Sequence, residues 1–133
     1  MSKVVTLSEA GSIAIHAIVL VARSKDMINV NKISEATQAS RHHVAKIMQR
    51  LVKHGYLFST RGPRGGFYMR RDPNDICLLE IYESIEGEIQ VGDCMMDYPV
   101  CPFDKCLMGT LVKELTEDFK NYMAKMKVAD YIV

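Results

Sequence analysis

The stretch that most limits what this chain can fold into is SRHHVAKIMQRLVKHGYLFSTRGPRGGFYMRR, residues 40–71. Ser40 predicts a helix start, because its hydroxyl can accept a hydrogen bond from an otherwise unpaired first-turn amide. Val44, Ile47, Met48 and Leu51 follow at i, i+3, i+4 and i+7, an apolar stripe along a helix from Arg41 to His54. Gly55 marks its end. His43, Lys46, Arg50 and Lys53 recur at steps of three, four and three on the opposite face, so one side docks on a core and the other is cationic. YLFST and FYMRR then read as two short strands joined by a Gly/Pro loop.

The flanking segments fit around this unit. Ser8 and Glu9 open a helix to about Arg23, with Ile13, Ala14, Ala17, Ile18 and Val21 on one stripe and Ile15, Val19 and Leu20 on another side. A helix apolar nearly all round belongs at the centre of a core or a dimer interface. NKISEATQ predicts a short second helix with Ile33 and Ala36 inward. Two helices with a short turn, the second one basic, followed by a basic hairpin make a winged helix-turn-helix. PNDICLLEIYESIEGE predicts a further helix, capped at Asn74 or Asp75, with Ile76, Leu79, Tyr82 and Ile85 on one face and Cys77 packed in the core. From Leu107 to Met126, the residues Leu107, Leu111, Leu115, Phe119, Tyr122 and Met126 recur at steps of four or three. A helix of that length spans about 30 Å and suggests packing against a second copy, with folding back on its own domain as the alternative. The expected architecture is mainly α with a small β-hairpin. It comprises a winged helix-turn-helix domain at 1–90, a cysteine-rich segment at 91–106, and a long dimerisation helix with its C-terminal tail at 107–133.

Charge supports a polyanionic partner. The net charge is only +1, but residues 41–71 hold eight Lys or Arg and no Asp or Glu, whereas residues 72–106 hold nine acids and one base. Such segregation predicts a basic surface for nucleic acid beside a separate acidic region. The apolar run of the first helix, interrupted by His16, is shorter than a membrane span, and no secretory signal pattern precedes it. A cytoplasmic protein with no membrane partner is expected.

In a helix-turn-helix the first turns of the second helix meet base edges in the major groove. Ser40, Arg41, His42, His43 and Lys46 stand there, while Arg50 and Lys53 lie further along, where phosphates are met. Arg61 and Arg64 flank Gly62–Pro63 in the wing, a loop that can lie over phosphates or place an Arg in the minor groove. Double-stranded DNA is therefore the expected partner. The Gly-rich loop is a poor nucleotide-phosphate cradle, since no Gly-Lys-Ser/Thr follows and it joins two strands.

Cys94, Cys101 and Cys106 fall within thirteen residues as C-x(6)-C-x(4)-C. Three thiols cannot all pair within one chain, and in a reducing compartment clustered thiolates point to metal or redox chemistry. Soft sulfur ligands suit an iron–sulfur cluster or zinc, and the absence of a close C-x-x-C pair puts zinc second. Three free or redox-active thiols are the plain alternative.

The segment from ISEATQASRHHVAKIMQRLVKHGYLFSTRGPRGGF to RRDPNDICLLEIYESIEG resembles the Rrf family of bacterial winged-helix regulators, which includes IscR-like and NsrR-like proteins. Its most specific part is L-x-K-x-G-Y-L-x-S-x-R-G-P-x-G-G-F at 51–67, followed by D-P and I-x-L-x-E-I at 72–81, and the likeness runs from TLSEAGSIAIHA to the last helix. The resemblance implies homodimers with crossing long helices that repress transcription at promoters. It also implies that Cys94, Cys101 and Cys106 ligate a cluster, either 4Fe-4S or 2Fe-2S. Two features depart from the commonest pattern: four residues, not five, separate the second and third cysteines, and Gly109 stands where IscR-like members carry a ligating His. Other members take the fourth ligand from the partner's first helix. Here Glu9, Ser12 and His16 share one face, with Ser12 at the NsrR-like carboxylate position and His16 at a position where a two-iron relative has a ligating His, and an aspartate of the cysteine segment or a small molecule is the remaining alternative.

The reading that follows is a DNA-binding transcriptional regulator, a repressor, sensing redox, nitric oxide or iron–sulfur status through a cysteine-ligated cluster. The alternative is a cluster-free regulator of the same type acting through thiol oxidation or a protein partner. An enzyme with a cysteine nucleophile is a second rival, disfavoured because no Cys–His pairing in a convincing cleft is offered and the basic helix and wing would go unexplained.

Overall fold

The computed structural model describes residues 2–92, 94 and 101–132. Among these, five α-helices surround a core to which a two-stranded antiparallel sheet is attached. Helix α1 (Glu9–Arg23) runs through the centre, capped by Ser8, whose hydroxyl accepts from the Gly11 amide at 3.0 Å. Ile13, Ala14, Ala17, Ile18 and Val21 are all buried, as their spacing predicts.

Helix α2 (Val30–Thr37) is capped by Asn29 and buries Ile33 completely. Ala36, expected inward, is exposed instead, and Ala39 packs against the core from the turn beyond. Gln38 takes a left-handed conformation (φ 57°) and closes the turn into α3 (Arg41–Lys53). Ser40 caps α3 by accepting from the His43 amide at 3.1 Å, and Val44, Ile47, Met48 and Leu51 are buried.

Strands β1 (Leu57–Thr60) and β2 (Gly66–Met69) form the wing, with Leu57 opposite Met69 and Thr60 opposite Gly66. The backbone of Ile28 pairs with Phe67 on the other edge of β2, at 3.1 and 2.8 Å. This contact requires glycine at position 66, where a Cβ would stand 2.8 Å from the Ile28 carbonyl oxygen.

Helix α4 (Leu78–Glu86) starts later than expected. Asp72 caps only a 3-10 turn at Pro73–Asp75, and Cys77 occupies the α4 cap position, half-buried, its amide donating to Glu80 Oε2 at 3.3 Å. The later start sets the phase of the buried face as Leu78, Ile81 and Ile85, leaving Leu79 and Tyr82 half-buried.

Helix α5 (Leu111–Lys125) is also shorter than its apolar repeat suggests, with Leu107 in a turn and 74% exposed. Its C-terminal end folds onto its own domain. Met123 is buried, Phe119 meets Tyr82 edge-on at 6.2 Å, and the chain beyond α5 pairs with the chain before α4. Leu78 donates to Met126 O and Val128 to Ile76 O, both at 2.9 Å, and Val128 is completely buried. Leu111, Leu115 and Tyr122 stay exposed along the same helix. Among the described residues, no helix is long and apolar enough to cross a membrane.

Candidate nucleic-acid interface and cysteine segment

The N-terminal turn of α3 is positioned by its cap and by the burial of Val44, Ile47 and Met48 on its other side. Arg41, His42 and Lys46 are exposed there, next to Ser40. Arg41 also donates to Asn31 Oδ1 of α2 at 3.4 Å. His43 turns towards α1, its Nδ1 3.2 Å from Glu9 Oε1. The cationic face expected of this helix is thus divided, with Lys46 facing solvent and His43 engaged with a carboxylate.

Arg50 is exposed, as the expected face requires, but it also has a partner within the chain. Its guanidinium donates to the Ile85 carbonyl at 2.8 Å, in the last turn of α4. Carbonyls of a last helical turn lack intrahelical donors and carry the negative end of the helix dipole, which makes them good partners for a guanidinium. Lys53 remains exposed.

The wing loop places Arg61 and Arg64 in solvent on either side of Gly62–Pro63, held by a Gly65 amide bond to Gly62 O at 2.9 Å. On the outer face of the hairpin, Phe58 and Tyr68 stack with centroids 5.1 Å apart, and the Arg70 guanidinium lies 5.1 Å over Phe58. Periodicity alone would place these two aromatics on the outward face of the strands, but not their pairing.

At the base of the wing, Arg71 pairs with Glu80 and donates to the Asp75 carbonyl at 3.0 Å, while the Tyr56 hydroxyl donates to Glu80 Oε1 at 3.1 Å. Burial, reinforced by the Glu80 charge, pushes Tyr56 up to about 12, so the phenol stays a proton donor. Burial alone would raise Glu80, but the Arg71 guanidinium, the Cys77 amide and the Tyr56 hydroxyl outweigh it and hold the carboxylate below its usual range.

Cys94, Cys101 and Cys106 are exposed, Cys106 in the segment leading into α5. Residues 93 and 95–100 of the segment lie outside the described residues. Glu9, Ser12 and His16 line one cleft with Leu7, Ile13 and the end of α2, and no cysteine lines it. His16 is exposed on α1, its Nδ1 2.7 Å from Ser12 O. Among the described residues, no three His, Cys, Asp or Glu side chains converge as a metal site within one chain. Three accessible thiols fit the donor chemistry of a soft-metal centre, but the fold of one chain does not by itself gather the proposed fourth ligand to them.

Residues 7–133 match the Rrf2 family, described as an iron-dependent transcriptional regulator. The chain is 24% identical to the HTH-type transcriptional regulator IscR of Klebsiella pneumoniae, over 95% of this chain and 78% of that protein. Among solved structures it is similar to CymR, the global cysteine regulator of B. subtilis, with a TM-score of 0.73, 18% identity and 95% of each chain covered. It is likewise similar to T. potens IscR, with a TM-score of 0.70, 19% identity, and 96% of this chain and 85% of that one covered. At these identities the solved structures establish a shared winged-helix fold.

Proposed function

The chain belongs to the Rrf2 family of transcriptional regulators and is not an enzyme; from that premise we propose that it binds promoter DNA as a cytoplasmic homodimer and represses transcription according to the state of an iron–sulfur cluster held by Cys94, Cys101 and Cys106. The observation that supports this reading is the presence, in one chain, of an exposed cationic reading helix and wing and of three exposed cysteines between α4 and α5.

Arg41, His42 and Lys46 meet base edges from the first turns of α3, with Ser40 beside them. Arg61 and Arg64 hold the wing on the backbone or in a narrow minor groove. His43 joins them when it leaves Glu9. Two such heads, spaced by α5 packed against α5 of a second copy, match two half-sites. The three thiolates leave one ligand position, filled by His16, Glu9 or Ser12 from the first helix of the second copy. A bound cluster would supply a centre that nitric oxide, oxygen or iron loss degrades. Cys94, Cys101 and Cys106 then tether the segment in one state and release it in the other, which shifts the population competent for DNA.

Protein purified without air and weighed by native mass spectrometry tests the whole reading. A dimer carrying iron and sulfide is expected, with Cys101→Ala retaining the dimer and losing the iron. Operator binding should fall steeply with salt, and a Lys46→Ala/Arg61→Ala variant should lose affinity by roughly 1–3 kcal/mol for a base contact, plus about one unit of salt slope per phosphate contact. A Cys101→Ala protein with full iron content overturns the ligand assignment. An iron-free wild type points instead to direct thiol oxidation.

A further inference from the structure

The segment leading to the first cysteine does not leave the domain freely. After α4 ends, the Ile89 amide donates to Glu83 Oε2 at 2.7 Å, and the Ile89 carbonyl accepts from Lys120 Nζ of α5 at 3.1 Å. Both polar groups at Ile89 are therefore taken by side chains of two different helices. The turn that makes this possible passes through Gly87 (φ +88°), a backbone conformation that a residue with a Cβ adopts only at a cost. The Ile89 side chain, half-buried, lines an apolar cleft together with Tyr82, Val112, Leu115 and Phe119.

Ile89 stands five positions before Cys94, a reach of at most ~18 Å of extended chain. At the other end of the segment, Cys106 stands five positions before the start of α5. The cysteine segment is thus flanked on one side by a peptide bonded to α4 and α5, and on the other by the start of α5. The same last turn of α4 that supplies Glu83 also supplies the Ile85 carbonyl, to which Arg50 of the reading helix is bonded.

We propose that Arg50 is a positioning residue, not a phosphate contact: with Glu83 and Lys120 it forms a latch through which the state of the cysteine segment sets the orientation of α3. This inference rests on the sensor reading above for its biological input, but the latch itself is built from contacts within one chain. Arg50 acts through the α4 carbonyl, and Glu83 and Lys120 act through the peptide at Ile89.

The test uses the full chain, iron-loaded and iron-free, with operator affinity measured by fluorescence anisotropy over a series of salt concentrations. In the wild type the two forms should differ by an amount typical of allosteric coupling, roughly 5–150-fold. Arg50→Ala and Glu83→Ala should each bring that ratio to within about twofold of unity, and the double variant should lose no more than either single one, because both break one linkage. Arg50→Lys, which keeps a donor for the Ile85 carbonyl, should restore part of the ratio. The salt slope of Arg50→Ala should equal that of the wild type. A slope lower by about one unit, with loaded and iron-free affinities reduced alike, is what a phosphate contact produces and overturns the proposal. Additive effects of the two alanine variants overturn it as well. Should the two wild-type forms bind equally, the sensor reading fails, and the latch is then judged by amide exchange in the iron-free protein. Glu83→Ala must speed exchange at residues 47–54 of the reading helix, and unchanged protection there overturns it.

Discussion

Tyr56, Arg71 and Glu80 join the foot of the wing to α4 through one carboxylate, which takes Arg71, the Tyr56 hydroxyl and the Cys77 amide together. Arg71 also lies over the Tyr56 ring, at 5.2 Å from its centroid. Because the folded state holds Glu80 below its ordinary value of 4.5, this carboxylate contributes stability that is present above that pH and is lost as pH falls through the lowered value. A Glu80→Gln variant should therefore be less stable than the wild type at pH 6, with the gap closing in acid. Urea unfolding at pH 6 and at intervals below 4.5 measures it, and a gap that stays constant through the acid range contradicts the assignment. Elsewhere on the surface, two exposed cations of α3 differ in their partners. Lys46 stays in solvent, whereas Arg50, four positions on, is held by a backbone carbonyl.

Helix α5 has two ends with different partners. Its last turns reach the core through Phe119, which meets Tyr82 of α4, and through Met123, while Leu111, 47% exposed, Leu115, 38%, and Tyr122, 56%, remain largely open to solvent among the described residues. Exposed apolar residues spaced along one helix face make an interaction surface, and a second copy of the helix is the partner we propose. Replacing Leu111 and Leu115 with Glu should yield a folded monomer by analytical ultracentrifugation with unchanged helical circular dichroism. Loss of helix in parallel would mean that these residues serve the fold of the single chain. Helix α3 makes the complementary case, since its four buried residues and its Ser40 cap all serve one domain.

On the scale of the molecule, the chain is closed by its C-terminal residues. Residues 126–128 pair with 76–78, and the 3-10 turn at Val128–Tyr131 packs against α1, so the last segment completes the core that the first helix opens. Val128 is completely buried and Ile132 is 39% exposed. Val128→Ala should cost about 2 kcal/mol in urea unfolding, whereas Ile132→Ala should stay within about 0.5 kcal/mol. A Val128→Ala cost as small as that of Ile132→Ala would show that the terminal segment is not part of the cooperative unit.

The helix-turn-helix and its wing were legible from the residues because their signals are local. Ser40 bonds three positions ahead, the apolar stripe repeats every three to four positions, and the Gly/Pro loop joins adjacent strands. Helix boundaries were less so. An apolar repeat continues through Leu107 and through Ile76, although the backbone starts α5 at Leu111 and α4 at Leu78, because where a helix begins depends on what its first turn packs against. Residue type and charge likewise marked the cationic helix and the three thiols without showing where each side chain goes. By itself, the order of residues determined the elements and the sign of each surface, through interactions that reach only a few positions. The tertiary structure alone decided that Arg50 meets Ile85, that Tyr56 shares Glu80 with Arg71, and that Val128 fills the core beside Ile76, since these partners stand nine or more positions apart and are brought together only by packing.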